Sequence, residues 1–80
     1  MTKEEIYEKL NQVFREVFDD ESITVDASTT ADDIEDWDSL EHITLVAAIE
    51  NLFQIKFKVG EVVRFKNVGE MADIIYERTR

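Results

Sequence analysis

Proline is absent from this 80-residue chain, and glycine occurs only twice, at Gly60 and Gly69. Those two residue types punctuate most folds. Proline stops helices and shapes turns, and glycine supplies the left-handed backbone that tight hairpins need. A chain nearly without either favours helices over the closely spaced turns of a sandwich or barrel, so the expected class is all-α. Its length allows one domain with a modest core, taken as residues 1–80. The sequence has no internal repeat, low-complexity tract or linker composition.

Hydrophobic spacing places the helices. Ile6, Leu10, Val13, Phe14 and Val17 line one face of a first helix expected from Thr2 to Phe18. Thr2 and Glu5 stand at capping-box spacing, and Asp19 and Asp20 put negative charge where a helix C-terminus opposes it. From Asp19 to Trp37 no periodicity holds. A connection that long in a small domain needs pins of its own, for which Ile23, Val25, Ile34 and Trp37 are the candidates. A single helical turn is expected near Thr30 to Ile34, with Thr30 and Asp33 at capping distance. A second helix begins at Asp38 or Ser39 and runs to Phe53, with Leu45, Val46, Ile49, Leu52 and Phe53 buried and Asp38 and Glu41 forming a capping box.

Gln54 to Lys58 alternates apolar and basic residues without a partner strand and reads as an extended connector. Val59 to Phe65 reads as a short helix. Asn67 and Glu70 mark another capping box, opening a last helix with Val68, Met71, Ala72 and Ile75 inward. The sum is a four-helix bundle of three longer helices and one short third helix, with a long loop between the first two.

Charge narrows the function. Nineteen acidic residues against nine basic ones give a formal net charge of −10. Such a surface repels nucleic acid and is drawn to basic protein surfaces. With no cysteine, the chain has no disulfide framework, thiolate metal site or thiol nucleophile, which suits a reducing cytoplasm. No apolar run reaches the length of a membrane span, and the N-terminus lacks a signal-peptide pattern. The single histidine, His42, has no serine or cysteine placed to complete a hydrolytic triad and reads as a half-exposed helix residue. Asp26, Ser28 and Thr30 resemble part of a calcium loop, but Ala31 and Trp37 stand where its glycine and bidentate glutamate belong, so no metal site is expected. These features argue against an enzyme.

The segment Asp36-Trp37-Asp38-Ser39-Leu40-Glu41-His42-Ile43 remains. It puts one serine hydroxyl in the first turn of a helix, where a phosphate ester would meet the positive end of the dipole and unpaired N–H groups. Trp37, just before the cap, reads first as a hydrophobic anchor for the entering chain and second as a contact for a partner or a group attached nearby. Asp38-Ser39-Leu40 resembles the DSL motif of acyl and aminoacyl carrier proteins. Ile43, Leu45, Val46, Ala48, Ile49, Glu50 and Phe53 continue the likeness through the second helix. Helix order, length and acidity extend it over the whole chain.

The resemblance implies that Ser39 carries 4′-phosphopantetheine, installed from coenzyme A by a separate transferase, with Asp38 helping to position that enzyme. It implies a partner-recognition face at Leu40, Glu41, Ile43, Thr44, Ala47 and Glu50, and a monomeric cytoplasmic carrier that presents a thioester to loading and downstream biosynthetic enzymes. The size of any cargo pocket would depend on how Ile43, Ala47, Val62, Phe65 and Ala72 pack. Housekeeping fatty-acid carriers usually have glycine and alanine before the motif, where Asp36 and Trp37 stand here. Thr44 replaces a common acidic residue and Lys58 a common proline, and Lys56, Lys58, Arg64 and Lys66 make the third-helix region basic. This form is similar to stand-alone carriers of specialised pathways. The competing reading is an acidic helical adaptor that binds a basic partner and bears no prosthetic group.

Overall fold

The computed structural model describes the backbone of all 80 residues and every side chain except that of Arg64. Four helices follow one another, α1 (Lys3–Val17), α2 (Ser39–Phe53), α3 (Val59–Arg64) and α4 (Val68–Thr79). One 3₁₀ turn, Ala31–Asp33, interrupts the connection between α1 and α2. The all-helical bundle expected from the sequence is the architecture found.

α1 starts as the spacing predicts: Thr2 Oγ1 accepts from the Glu5 N–H at 3.1 Å, and the Glu5 carboxylate accepts from the Thr2 N–H at 3.0 Å. It buries Ile6, Leu10, Val13 and Phe14, while Val17 is half-buried. Its end is made without glycine. Asp19 takes a left-handed conformation (φ 50°), and the N–H groups of Asp20 and Asp19 reach back to the carbonyls of Arg15 and Glu16. This is a Schellman closure with aspartate, one of the few side chains that tolerates the position. Gln54 (φ 56°) ends α2 in the same backbone region.

Asp38 caps α2, its carboxylate accepting from the Glu41 N–H at 2.8 Å, but the reciprocal half of the expected capping box is not formed. The same holds at α4, where Asn67 accepts from the Glu70 N–H at 2.9 Å while the Glu70 carboxylate reaches past it to the Lys66 N–H. Leu45, Val46, Ile49 and Phe53 are buried as expected. Leu52 is not; it is 39% exposed, because it lies at the edge of the arc those residues sweep. Val68, Met71, Ala72 and Ile75 of α4 all point inward and complete the core. α1 packs against both α2 and α4.

The long connection is tied down by polar residues of its neighbours as much as by its own apolar pins. Val25 is buried, and Ile23, Ile34 and Trp37 are half-buried against the core. Asn11 of α1 accepts from the Val25 N–H at 2.6 Å, and Arg15 donates to the Ile23 carbonyl at 2.7 Å. The first N–H groups of α4, at Val68 and Gly69, donate to the Thr29 and Ala27 carbonyls at 2.9 and 3.0 Å. A Cβ at Gly69 would sit 2.8 Å from the Ala27 carbonyl oxygen, so this approach requires glycine. Asp20 and Asp26 close two local turns by accepting from the N–H and hydroxyl groups of Ser22 and Ser28. Those hydrogen bonds hold both carboxylates below the ordinary aspartate range.

After α2, Ile55 and Phe57 turn inward while Lys56 and Lys58 stay exposed, which is the connector the alternation predicts. The Glu50 carboxylate fixes it by accepting from the Phe57 N–H at 2.8 Å.

Candidate functional site

Ser39 is the first residue of α2 and is exposed. Its position follows from the chain on either side. Upstream, Trp37 lays its ring against Phe14 and Phe18 of α1, with centroids 5.2 and 6.3 Å away. Its backbone N–H donates to the Ile34 carbonyl at 3.1 Å. The anchoring role expected of Trp37 is therefore present. Downstream, the Asp38 cap fixes where helical geometry begins, so the serine lies on the first turn and faces solvent.

Beside Ser39 runs an open groove of about 600 Å³ between the start of α2 and α3. Ser39 and Asp38 border it with Ile43, and Trp37, His42 and Phe65 form an aromatic wall. Val62 and Val63 of α3 add apolar surface, and Lys66 is the cation among the described groove residues. The wall is continuous with the core. Trp37 meets His42, His42 meets the Phe65 ring edge at 6.2 Å, and Phe65 meets Phe57 edge-on at 5.3 Å.

The expected recognition residues divide into two groups. Ile43 is 65% exposed at the groove, and Leu40, 70% exposed, stands on the same first turn. Thr44 is exposed and Glu41 half-buried on that part of α2. Ala47 and Glu50 lie elsewhere, lining a separate depression with Asn51, Gln54, Ile55 and Lys56. Among the expected pocket residues, Ile43, Val62 and Phe65 meet at the groove, but Ala72 is fully buried in the core and Ala47 is outside it. The side chain of Arg64, one of the four basic residues singled out above, lies outside the described residues.

α3 adds features that the sequence did not disclose. Val59 is 82% and Val63 76% exposed, so this helix keeps two valines in solvent. Its N-terminus is tied to α4 by Arg78, which donates to the Glu61 carboxylate at 2.7 Å and to the Lys56 carbonyl at 3.1 Å. Hydrogen bonding to Arg78, then the Lys58 N–H, pulls the Glu61 carboxyl down to about 2. His42 is the other unforeseen element. Trp37 Nε1–H donates to His42 Nδ1 at 3.0 Å, and His42 Nε2 lies 3.0 Å from the Val62 carbonyl oxygen. The five-residue separation of Trp37 and His42 across a helix start was the available signal.

An exposed serine on a capped helix start beside a mostly apolar groove is a suitable place for a long, flexible group attached through a phosphate. The chain is also similar to known proteins. A family model described as a phosphopantetheine attachment site matches residues 8–75. The chain is 34% identical to an acyl carrier protein of Petrotoga mobilis, with 98% of this chain and 92% of that protein covered. It is also similar to the solution structure of a holo acyl carrier protein from Geobacter metallireducens. There the TM-score is 0.83 and the identity 44%, over 89% of this chain and 82% of the other.

Proposed function

The chain belongs to the acyl carrier family that bears a phosphopantetheine attachment site, carriers and not catalysts, and from that membership we propose that Ser39 is the attachment point. The observation that carries the proposal is the state of the serines. Ser22 and Ser28 donate their hydroxyls to Asp20 and Asp26 at 2.6 and 2.7 Å, whereas Ser39 stands exposed at the start of α2. Attached as a phosphodiester, the group supplies a terminal thiol that holds an acyl or aminoacyl unit as a thioester. The chain's own residues bind and orient. Asp38 fixes the turn that presents the hydroxyl, the first-turn N–H groups and the Lys66 ammonium favour the phosphate charge, and the aromatic wall offers apolar shelter beside it.

We further read residues 1–80 as one monomeric cytoplasmic domain that a phosphopantetheinyl transferase modifies and that loading and downstream biosynthetic enzymes then visit. Leu40, Glu41, Ile43 and Thr44 form the face nearest the serine. Ala47 and Glu50 extend it along α2, with Glu50 also holding the connector. Thr44 and the exposed Lys56, Lys58 and Lys66 make this surface less acidic than a housekeeping fatty-acid enzyme would grip, which supports a specialised pathway.

Incubation with a broad-specificity transferase and coenzyme A, read by intact mass, tests the attachment. The wild-type chain gains one phosphopantetheine and Ser39→Ala gains none while keeping its helical circular dichroism. Modification at Ser22 or Ser28 overturns the assignment, and no mass gain at all favours the adaptor. Elongation by fatty-acid enzymes as efficient as with a dedicated fatty-acid carrier would overturn only the pathway.

A further inference from the structure

His42 is half-buried one turn past Ser39, and both its ring nitrogens are engaged. An indole N–H can only donate, so His42 Nδ1 must accept. In a neutral ring the proton is then on Nε2, which donates to the Val62 carbonyl. The ring planes of Trp37 and His42 are 21° from parallel with centroids 5.9 Å apart. With a 3.0 Å N···N contact, that spacing is the in-plane one such a hydrogen bond needs. One tautomer satisfies both contacts.

The receiving end explains why the contact matters. Val62 lies in the last turn of α3, where carbonyls have no intrahelical N–H to accept from. A helix of six residues does not hold itself together, and α3 leaves Val59 and Val63 in solvent, so little burial secures it. Arg78 ties its N-terminal end through Glu61. At its C-terminal end, His42 bonds Val62 and packs on the Phe65 ring. The His42 ring is in turn held through Trp37 to Phe14 in the core.

We infer that His42 is a positioning residue: held in its Nε2–H tautomer between the Trp37 indole and the Val62 carbonyl, it clamps α3 against the start of α2 and sets the width of the groove beside Ser39. The consequence for a bound cargo rests on the attachment at Ser39 argued above; the clamp itself does not.

The test uses the full chain and separates the two halves of the contact. In His42→Asn the amide oxygen falls near the Nδ1 position and keeps the Trp37 bond alone. In His42→Gln the amide nitrogen falls near Nε2 and keeps the Val62 bond alone. His42→Phe keeps ring packing and loses both. Long-range ¹H–¹⁵N spectra of the wild type at about pH 8, above the ordinary histidine range, should show the ring proton on Nε2 and none on Nδ1. Exchange of the Trp37 indole N–H should quicken about tenfold or more in His42→Phe and be restored toward wild type in His42→Asn. Protection of the α3 amides should fall in His42→Phe and His42→Asn and recover in His42→Gln. Circular dichroism melts report whether each variant folds. With a hexanoyl-phosphopantetheine probe loaded enzymatically, hydroxylamine should release the acyl group at least about twofold faster from His42→Phe than from wild type. A protonated Nδ1, or α3 protection and indole exchange unchanged in folded His42→Phe, would overturn the clamp. Failure of loading would overturn the attachment instead, while the tautomer and exchange data still decide on His42. Equal release rates with a changed exchange pattern would remove the groove consequence from the proposal.

Discussion

The two sides of this bundle are held by different forces. α1, α2 and α4 meet over Ile6, Leu10, Phe14, Leu45, Ile49, Val68, Met71 and Ile75, all fully buried. α3 instead exposes Val59 and Val63 and is fastened at its ends, by Arg78 to Glu61 and by His42 to Val62. Burial is non-directional and scales with area, so the first side resists small changes of geometry. Hydrogen bonds and ion pairs depend on a few atoms each, so the second side is where single substitutions or protons change structure without unfolding the chain. The groove beside Ser39 lies on the seam, with one wall from each regime.

The contrast breaks most visibly if the core is cut. Ile49→Ala leaves a cavity between α2 and its neighbours and should cost about 2–5 kcal/mol, a large fraction of what a domain of this size has. Chemical denaturation should show the whole transition moving to lower denaturant. A loss confined to α3 amides would mean the two sides are not distinct in the way described.

A smaller effect comes from acid. Glu61 is lowered to about 2 from the ordinary glutamate value of 4.5, chiefly by Arg78. A depressed folded-state value means the tie is fully present above the ordinary value and is lost as pH falls through the folded one. Amide protection in α3 should therefore decline from about pH 4.5 towards pH 2 faster than protection in α1. In Arg78→Gln the α3 amides should start less protected and lose less over the same range, because the folded and ordinary values then lie closer together. Parallel loss in both helices at every pH would count against a separately fastened α3.

The smallest effect is a gain. Nothing lies within 4 Å of a Cβ built on Gly60, inside α3. Gly60→Ala should stabilise the helix by about 0.5–1 kcal/mol, seen as slower exchange in α3 with little change in the global transition. An equal rise in global stability would show that α3 and the core unfold as one unit.

Much of this was legible in the residues. Thr2 and Glu5, Asp38, and Asn67 marked three helix starts, because capping acts over three or four residues. Near-absence of proline and glycine gave the class, and periodicity gave the inward faces of α1 and α4. The candidate site was legible at Ser39 and Asp38, where motif and cap coincide. It was less legible along α2, where Leu52 and Ala47 fall outside the buried arc and the groove, because both depend on where the neighbouring helices lie.

By itself, then, the sequence determined the helices, their order and the exposed serine at the start of α2, all of which rest on interactions a few residues long. Only the tertiary structure decided what the polar residues of those helices do. Asn11 and Arg15 hold a loop 14 and eight residues away, Glu50 holds the Phe57 N–H, Arg78 reaches back 17 residues to Glu61, and His42 joins Trp37 to a carbonyl 20 residues on. Each is a directional bond between groups distant along the chain. Its partner is set by how the helices pack, and no local pattern encodes that.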